Sequence, residues 1–223
     1  MFSKILTSAL IAGAAAGLIA ALLQLFFLQP VLLHAELFES GVLVHSGASD
    51  ATVAAQPFDI QRNILSVAFS MLIYAGYGLV LVAGMNMAEA QDASITAKTG
   101  IIWGIAGFVA VQLAPGFSLP PEVPGSAAAD VGDRQLWWFA TVGATMIGLW
   151  LVAFNKRVVT VAIAIALILA PHVVGAPQPS VLTGSAPTEI GGMFAARSLG
   201  IGLAAWSILG FLAGHFWSTS DEA

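Results

Sequence analysis

Long blocks of apolar residues, broken by short polar stretches, dominate the pattern along this chain. A helix crossing a bilayer needs about 20 mostly apolar residues, within a range of roughly 17–25. Six blocks meet or approach that length: about 5–28, 63–87, 99–114, 135–154, 157–174 and 193–217. They predict an all-α integral membrane protein, one polytopic domain over residues 1–223 with six transmembrane helices. The third and fifth blocks are short, and a proline is expected to end each. The first block holds the small residues "AGAAAG" (Ala12–Gly17), as a cleaved signal would. Its apolar run continues through Leu28, which predicts an uncleaved helix.

The prolines repeat in a regular way. The first block closes on Leu28-Gln29-Pro30, the third on Leu113-Ala114-Pro115 and the fifth on Leu169-Ala170-Pro171. Each is followed by a loop and then by a helix with an early arginine: Arg62, Arg134 and Arg197. The chain therefore reads as three helical hairpins, each with a proline exit and an arginine re-entry. Asp59, Asp130 or Asp133, and Thr188 are placed to cap the returning helices. Proline just past a helix end is also common for local reasons alone. Weak internal symmetry of this kind is frequent in transporters.

Composition sharpens the membrane reading. The chain is 58% hydrophobic and 9% charged, and its mean hydropathy is +0.91. A soluble domain carries about 25% charged residues. The net charge of −5 and the absence of any Lys/Arg cluster argue against nucleic-acid binding. Cysteine is absent, so disulfides, thiolate metal sites and cysteine nucleophiles are excluded. No acid/base pair sits at usable spacing, so no enzymatic activity is expected.

Orientation follows from Lys and Arg alone. With both termini in the cytoplasm, Lys4, Lys98, Lys156 and Arg157 fall inside, and Arg62, Arg134 and Arg197 fall outside. Arginine near a helix N-terminus opposes the macrodipole. Interfacial anchoring accounts for such a residue in the simplest reading. An arginine as deep as Arg197 instead needs a partner, a cavity or a snorkelling route. The outer carboxylates Glu36, Glu39, Glu122, Asp130 and Glu189 are the candidate partners. Trp137 and Trp138 fit an outer aromatic belt, and the small-xxx-small pairs Gly13/Gly17, Gly100/Gly104 and Gly210/Gly214 fit helix packing faces.

The same side gathers the chemistry. His34, His45 and His172 lie there with eight of the twelve acids. Imidazole plus carboxylate, without thiolate, suits borderline or harder divalent metals. In "HAELFES", His34 and Glu36 lie on one short segment that an amphipathic interfacial turn also explains. His172 follows the proline of a short apolar helix, the kind of interruption that points to a transporter site. Glu122 is the single charge in "QLAPGFSLPPEVPG" (Gln112–Gly125), which packs four prolines and two glycines into fourteen residues. The candidate metal ligands are therefore His172, Glu122, His34, Glu36 and His45. Arg134, Arg197 and Arg62, with Gln135, Trp137 and Trp138, are candidates for charge pairing and structure.

"QLAPGFSLPPEVPG", "DRQLWWFATV" (Asp133–Val142) and "PHVVGAP" (Pro171–Pro177) together resemble the CbtA family of predicted cobalt transporter subunits. The N-terminal "AGAAAGLIAALLQ" and "AELFE" (Ala35–Glu39) resemble that family's first helix and exit. The resemblance covers most of the chain. It does not extend to Val42–Gln56 or to the loop near Gln91. It implies a bacterial inner-membrane subunit for cobalt uptake linked to cobalamin synthesis. It further implies a small single-span CbtB-like partner with a histidine-containing tail. Glu122, Arg134, Gln135, Trp137, Trp138, His172 and Gly175 occupy its motif positions. No resident cofactor is expected; Co(II) is the expected cargo, with nickel, zinc or a cobalamin precursor as alternatives, and an oligomer is compatible. A different reading is a non-conducting scaffold that holds a small partner helix. A polar outward cavity lined by Arg134, Arg197 and Glu122 separates transport from the solid apolar bundle of a scaffold.

Overall fold

A computed structural model of the chain describes residues 2–44 and 59–219. His45, one of the expected ligands, lies outside the described residues. The described chain is helical: α1 (Phe2–Leu23), α2 (Gln29–Glu39), α3 (Ile60–Glu89), α4 (Ala97–Phe108), α5 (Ala114–Ser118), α6 (Val131–Phe154), α7 (Val158–Val174) and α8 (Thr188–Thr219). Five continuous helices are long and apolar enough to cross a membrane, namely Ser3–Glu39, Ile60–Glu89, Ala97–Ser118, Val131–Phe154 and Thr188–Thr219, and Val158–Val174 is a shorter apolar helix. Six helices match the six apolar blocks. Their outer faces are apolar as well: Ile64, Leu65, Phe69 and Leu72 of α3 are each more than half exposed. A water-facing helix does not carry such a face, whereas a lipid-facing one requires it.

The prolines do not act as predicted. The first helix runs on past Pro30 to Glu39, and the third runs past Pro115 to Ser118, so the third is a full-length span. A proline in a helix lacks its N–H and clashes with the carbonyl four residues earlier. For Pro30 that carbonyl belongs to Phe26, and for Pro115 to Val111. Each is the middle residue of a five-residue π-helical turn, Gln24–Leu28 and Val109–Leu113. The wider i→i+5 turn accommodates the ring, and the helix continues. The two devices have the same register, with the proline two residues beyond the π-turn. Pro171 has no such turn before it. Its helix ends three residues later at Val174, where Gly175 takes φ 91° and its N–H is accepted by the Pro171 carbonyl at 3.0 Å.

The described residues form two compact units, 2–28, 59–108 and 200–219 in one, 29–44 and 109–199 in the other. In the first unit, close helix crossings depend on missing side chains. A Cβ at Gly17 would stand 2.6 Å from the Met71 Cα, and one at Gly78 would stand 2.6 Å from the Ala9 carbonyl oxygen. Gly100 and Gly104 of α4 meet the backbone of Trp206 and Gly210 of α8 too closely for any Cβ, and Gly214 meets Thr96. Gly107 makes room for the Trp206 indole, on which Tyr77 stacks at 4.8 Å. The small-xxx-small pairs are thus packing faces. In this unit Ser70 donates to Gln24 Oε1 at 3.2 Å, which satisfies the polar side chain of the first π-turn.

The second unit holds the α6–α7 hairpin, with Gly148 against Ala164 and Ile168, together with α2, α5 and the start of α8. Asp130 caps α6 by accepting from the Gly132 N–H at 2.8 Å and from Asp133 at 3.3 Å, so Asp130 and not Asp133 is the cap. In the first unit Asp59 caps α3 through the Arg62 N–H at 3.0 Å. Thr188 is the first residue of α8, and its hydroxyl meets Glu189 Oε2 at 3.4 Å.

Gly104→Val is expected to destabilise the protein by about 1–3 kcal/mol or more, because backbone rather than a flexible side chain must yield. Gly143→Ala is the control: a Cβ there meets nothing within 4 Å, and alanine is the better helix former by about 1 kcal/mol. Thermal unfolding in detergent is expected to fall for the first variant and to hold or rise for the second.

Candidate functional site

The loop between α5 and α6 holds the stiff, proline-rich stretch around Glu122. Prolines at 120, 121 and 124 restrict its backbone, and Gly125 turns it at φ 78°. Val123 pins it. That side chain is buried with Val31 and Ala35 of α2 and Ile190 of α8, and Phe38, Ala186 and Phe194 pack around them. A second clip ties the loop to the segment before α8. The Gly125 carbonyl accepts from the Ser185 N–H at 3.3 Å, and the Ala127 N–H donates to Thr183 O at 2.8 Å. The residue next to Val123 is therefore held in place by packing, not by its own charge.

That residue is Glu122. Its Oε2 accepts from an Arg134 terminal nitrogen at 2.8 Å, with side chains 31% and 28% exposed respectively. Exposed ion pairs contribute about 0–1 kcal/mol, so this pair orients the two groups more than it stabilises the fold. Arg134 comes from the first turn of α6, whose cap sets its direction, and its N–H is accepted by the Asp130 carbonyl at 3.1 Å. Glu122 and Arg134 share the wall of a cavity of about 800 Å³. Gln112, Gln135 and Ser198 add polar groups to that wall; Trp138 and Phe139 add aromatic ones; Pro115, Pro120 and Pro121 add rigid apolar surface.

Gln112 is the residue that sequence reading undervalued. It lies in the second π-turn, and its Oε1 is buried without a hydrogen-bond partner among the described residues. Such an acceptor costs about 1–3 kcal/mol when left unpaired. Gln24, in the first π-turn, has Ser70. The signal was present in the sequence as a lone polar residue in an apolar run three positions before a proline.

His172 sits at a neighbouring cluster. Its Nδ1 is 3.0 Å from Ser118 Oγ, and the Ser118 carbonyl accepts from Gln178 Nε2 at 3.5 Å. Phe117 and Trp137 meet the imidazole edge-on, at 5.4 Å and 5.8 Å between ring centres. Trp137 is buried and donates to the Pro171 carbonyl at 3.1 Å. These contacts fasten the end of α5 to the end of α7.

The expected ligands are thus dispersed. Glu122 is on the cavity wall and His172 is beside Ser118. His34 and Glu36 are on α2, where the His34 ring meets Phe38 at 5.5 Å. Among the described residues no three His, Asp or Glu side chains gather as a metal-holding group. Arg134, Gln135 and Trp138 do reach the cavity wall, while Arg197 does not; its neighbours Ser198 and Leu199 do. Arg62 lies in the first turn of α3.

Val123→Ala is expected to loosen the Glu122 loop while leaving both charges in place. Removing its buried methyls costs about 1–3 kcal/mol. The amides of residues 122, 123 and 125–127 should exchange hydrogen faster than in the parent protein, with exchange in α3 unchanged.

No curated protein and no solved structure matches the chain. Residues 2–218 match the model of the family described as "Probable cobalt transporter subunit (CbtA)". With a multi-pass apolar helical fold and a match over essentially its whole length, this chain belongs to the CbtA family.

Proposed function

We propose that the chain is the membrane subunit of a divalent metal uptake transporter, with cobalt as cargo, and that it captures the metal on the outer face of the cytoplasmic membrane. The observation that carries this reading is the cavity of about 800 Å³ whose wall pairs Glu122 with Arg134. A scaffold for a partner helix has no use for an opening with an ion pair in its wall; an importer must first hold its dilute cargo. Both termini lie in the cytoplasm, on the Lys/Arg distribution, which sets the loop carrying Glu122 outside. Glu122 is the first carboxylate the cation meets. His172 has Nδ1 occupied by Ser118, which sets the ring and leaves Nε2 as the nitrogen for a metal. The family description names a subunit, and we assign the partner role to a small single-span CbtB-like protein.

Uptake of labelled cobalt by cells producing the chain, with and without the small partner and in competition with nickel, tests the reading. At matched membrane levels Glu122→Gln is expected to lower uptake at least tenfold, and His172→Ala severalfold. Parent-level uptake in both variants removes these residues from the pathway. Uptake equal to that of cells lacking the chain removes the transport reading.

A further inference from the structure

The cavity is the wrong size and the wrong charge for a bare cation. An aquo ion with six waters occupies about 180 Å³, whereas the cavity measures about 800 Å³, within the range of roughly 300–1,000 Å³ typical of organic ligands. Its wall holds one carboxylate and no imidazole, and that carboxylate is bonded to a guanidinium at 2.8 Å. The two charges cancel, and Arg134 repels an incoming dication. A wall of zero net charge with aromatic and proline surface suits a cargo that is itself nearly neutral or anionic and partly apolar.

We propose that this cavity takes its metal as a small organic chelate, a divalent cation held by a hydroxy- or aminocarboxylate. The inference rests on the transport reading above and specifies the chemical form of the cargo. Three groups match the parts of such a complex. A ligand carboxylate suits Arg134, whose guanidinium offers five N–H donors in a planar fork, of which Glu122 takes one. A ligand hydroxyl or amine suits the polar wall residues Gln112 and Gln135. Trp138 and Phe139 cover the carbon skeleton. As the ligand carboxylate engages Arg134, Glu122 is released toward the cation, so one ion pair exchanges for two complementary contacts. The bare ion makes only the second of these and must break the pair without compensation.

Equilibrium dialysis of radiolabelled cobalt against the full chain in lipid nanodiscs tests the proposal. Three probes are used: Co(II) in a non-coordinating buffer, the Co(II)–citrate complex, and metal-free labelled citrate. The citrate complex is expected to bind at least tenfold more tightly than the aquo ion. Arg134→Gln should bring the two within about twofold of each other. Leu119 is another residue of the cavity wall, and Leu119→Trp, which fills the cavity and keeps both charges, should weaken the complex at least tenfold and keep the native unfolding temperature. Aquo-ion binding equal to or tighter than that of the complex, insensitive to Leu119→Trp, overturns the chelate inference and leaves the transport reading standing. Cobalt bound in neither form overturns both. Metal-free citrate bound as tightly as the complex overturns the metal's part in recognition.

Discussion

A bilayer supplies no hydrogen-bond partners, so every backbone amide within it must be satisfied by the protein itself. The rest of this structure depends on how two helices run on past a proline under that constraint. In water, Pro30 and Pro115 could each have ended a helix, with solvent taking up the freed carbonyls. Here a π-turn ahead of each proline opens the helix by one residue and lets it continue. Continuation carries α2 beyond Pro30 to supply Val31 and Ala35 to the small core around Val123. It also carries α5 beyond Pro115, where Ser118 reaches His172.

The π-turns have a second consequence. A wider turn displaces side chains from the regular helical register, and each of these two turns contains a glutamine. Gln24 is met by Ser70 within its own unit. Gln112 lines the cavity, and its Oε1 has no hydrogen-bond partner among the described residues. The same backbone device thus goes with a structural hydrogen bond in one place and a buried, unpaired acceptor in the other.

Charge placement follows the same economy. Glu122 and Arg134 lie only twelve residues apart, yet their meeting depends on neither one's own conformational preference. The Asp130 cap aims the first turn of α6, while Val123 and the Gly125–Ser185 clip hold the loop. A carboxylate so fixed has little conformational entropy left to lose. The glycine crossings of the first unit serve a different end, close van der Waals packing in a solvent that offers no hydrophobic drive between helices.

Helix number, approximate spans and family were legible in the sequence, because they rest on local quantities. Twenty apolar residues settle a span wherever they occur, and the motifs of the proline-rich loop, "DRQLWWFATV" and "PHVVGAP" are contiguous strings. Asp59 as a cap and the paired glycines as contact faces were readable for the same reason. What proline would do was not readable, because the clash of its ring with the carbonyl four residues earlier can be relieved by a changed turn there. Which acid would meet Arg134, out of five candidates, was settled only by packing. Val123 must be buried by Val31, Ala35 and Ile190, residues spread over most of the chain. The unpaired Gln112 acceptor likewise exists only in three dimensions, since a missing partner is a property of the surroundings and not of the residue.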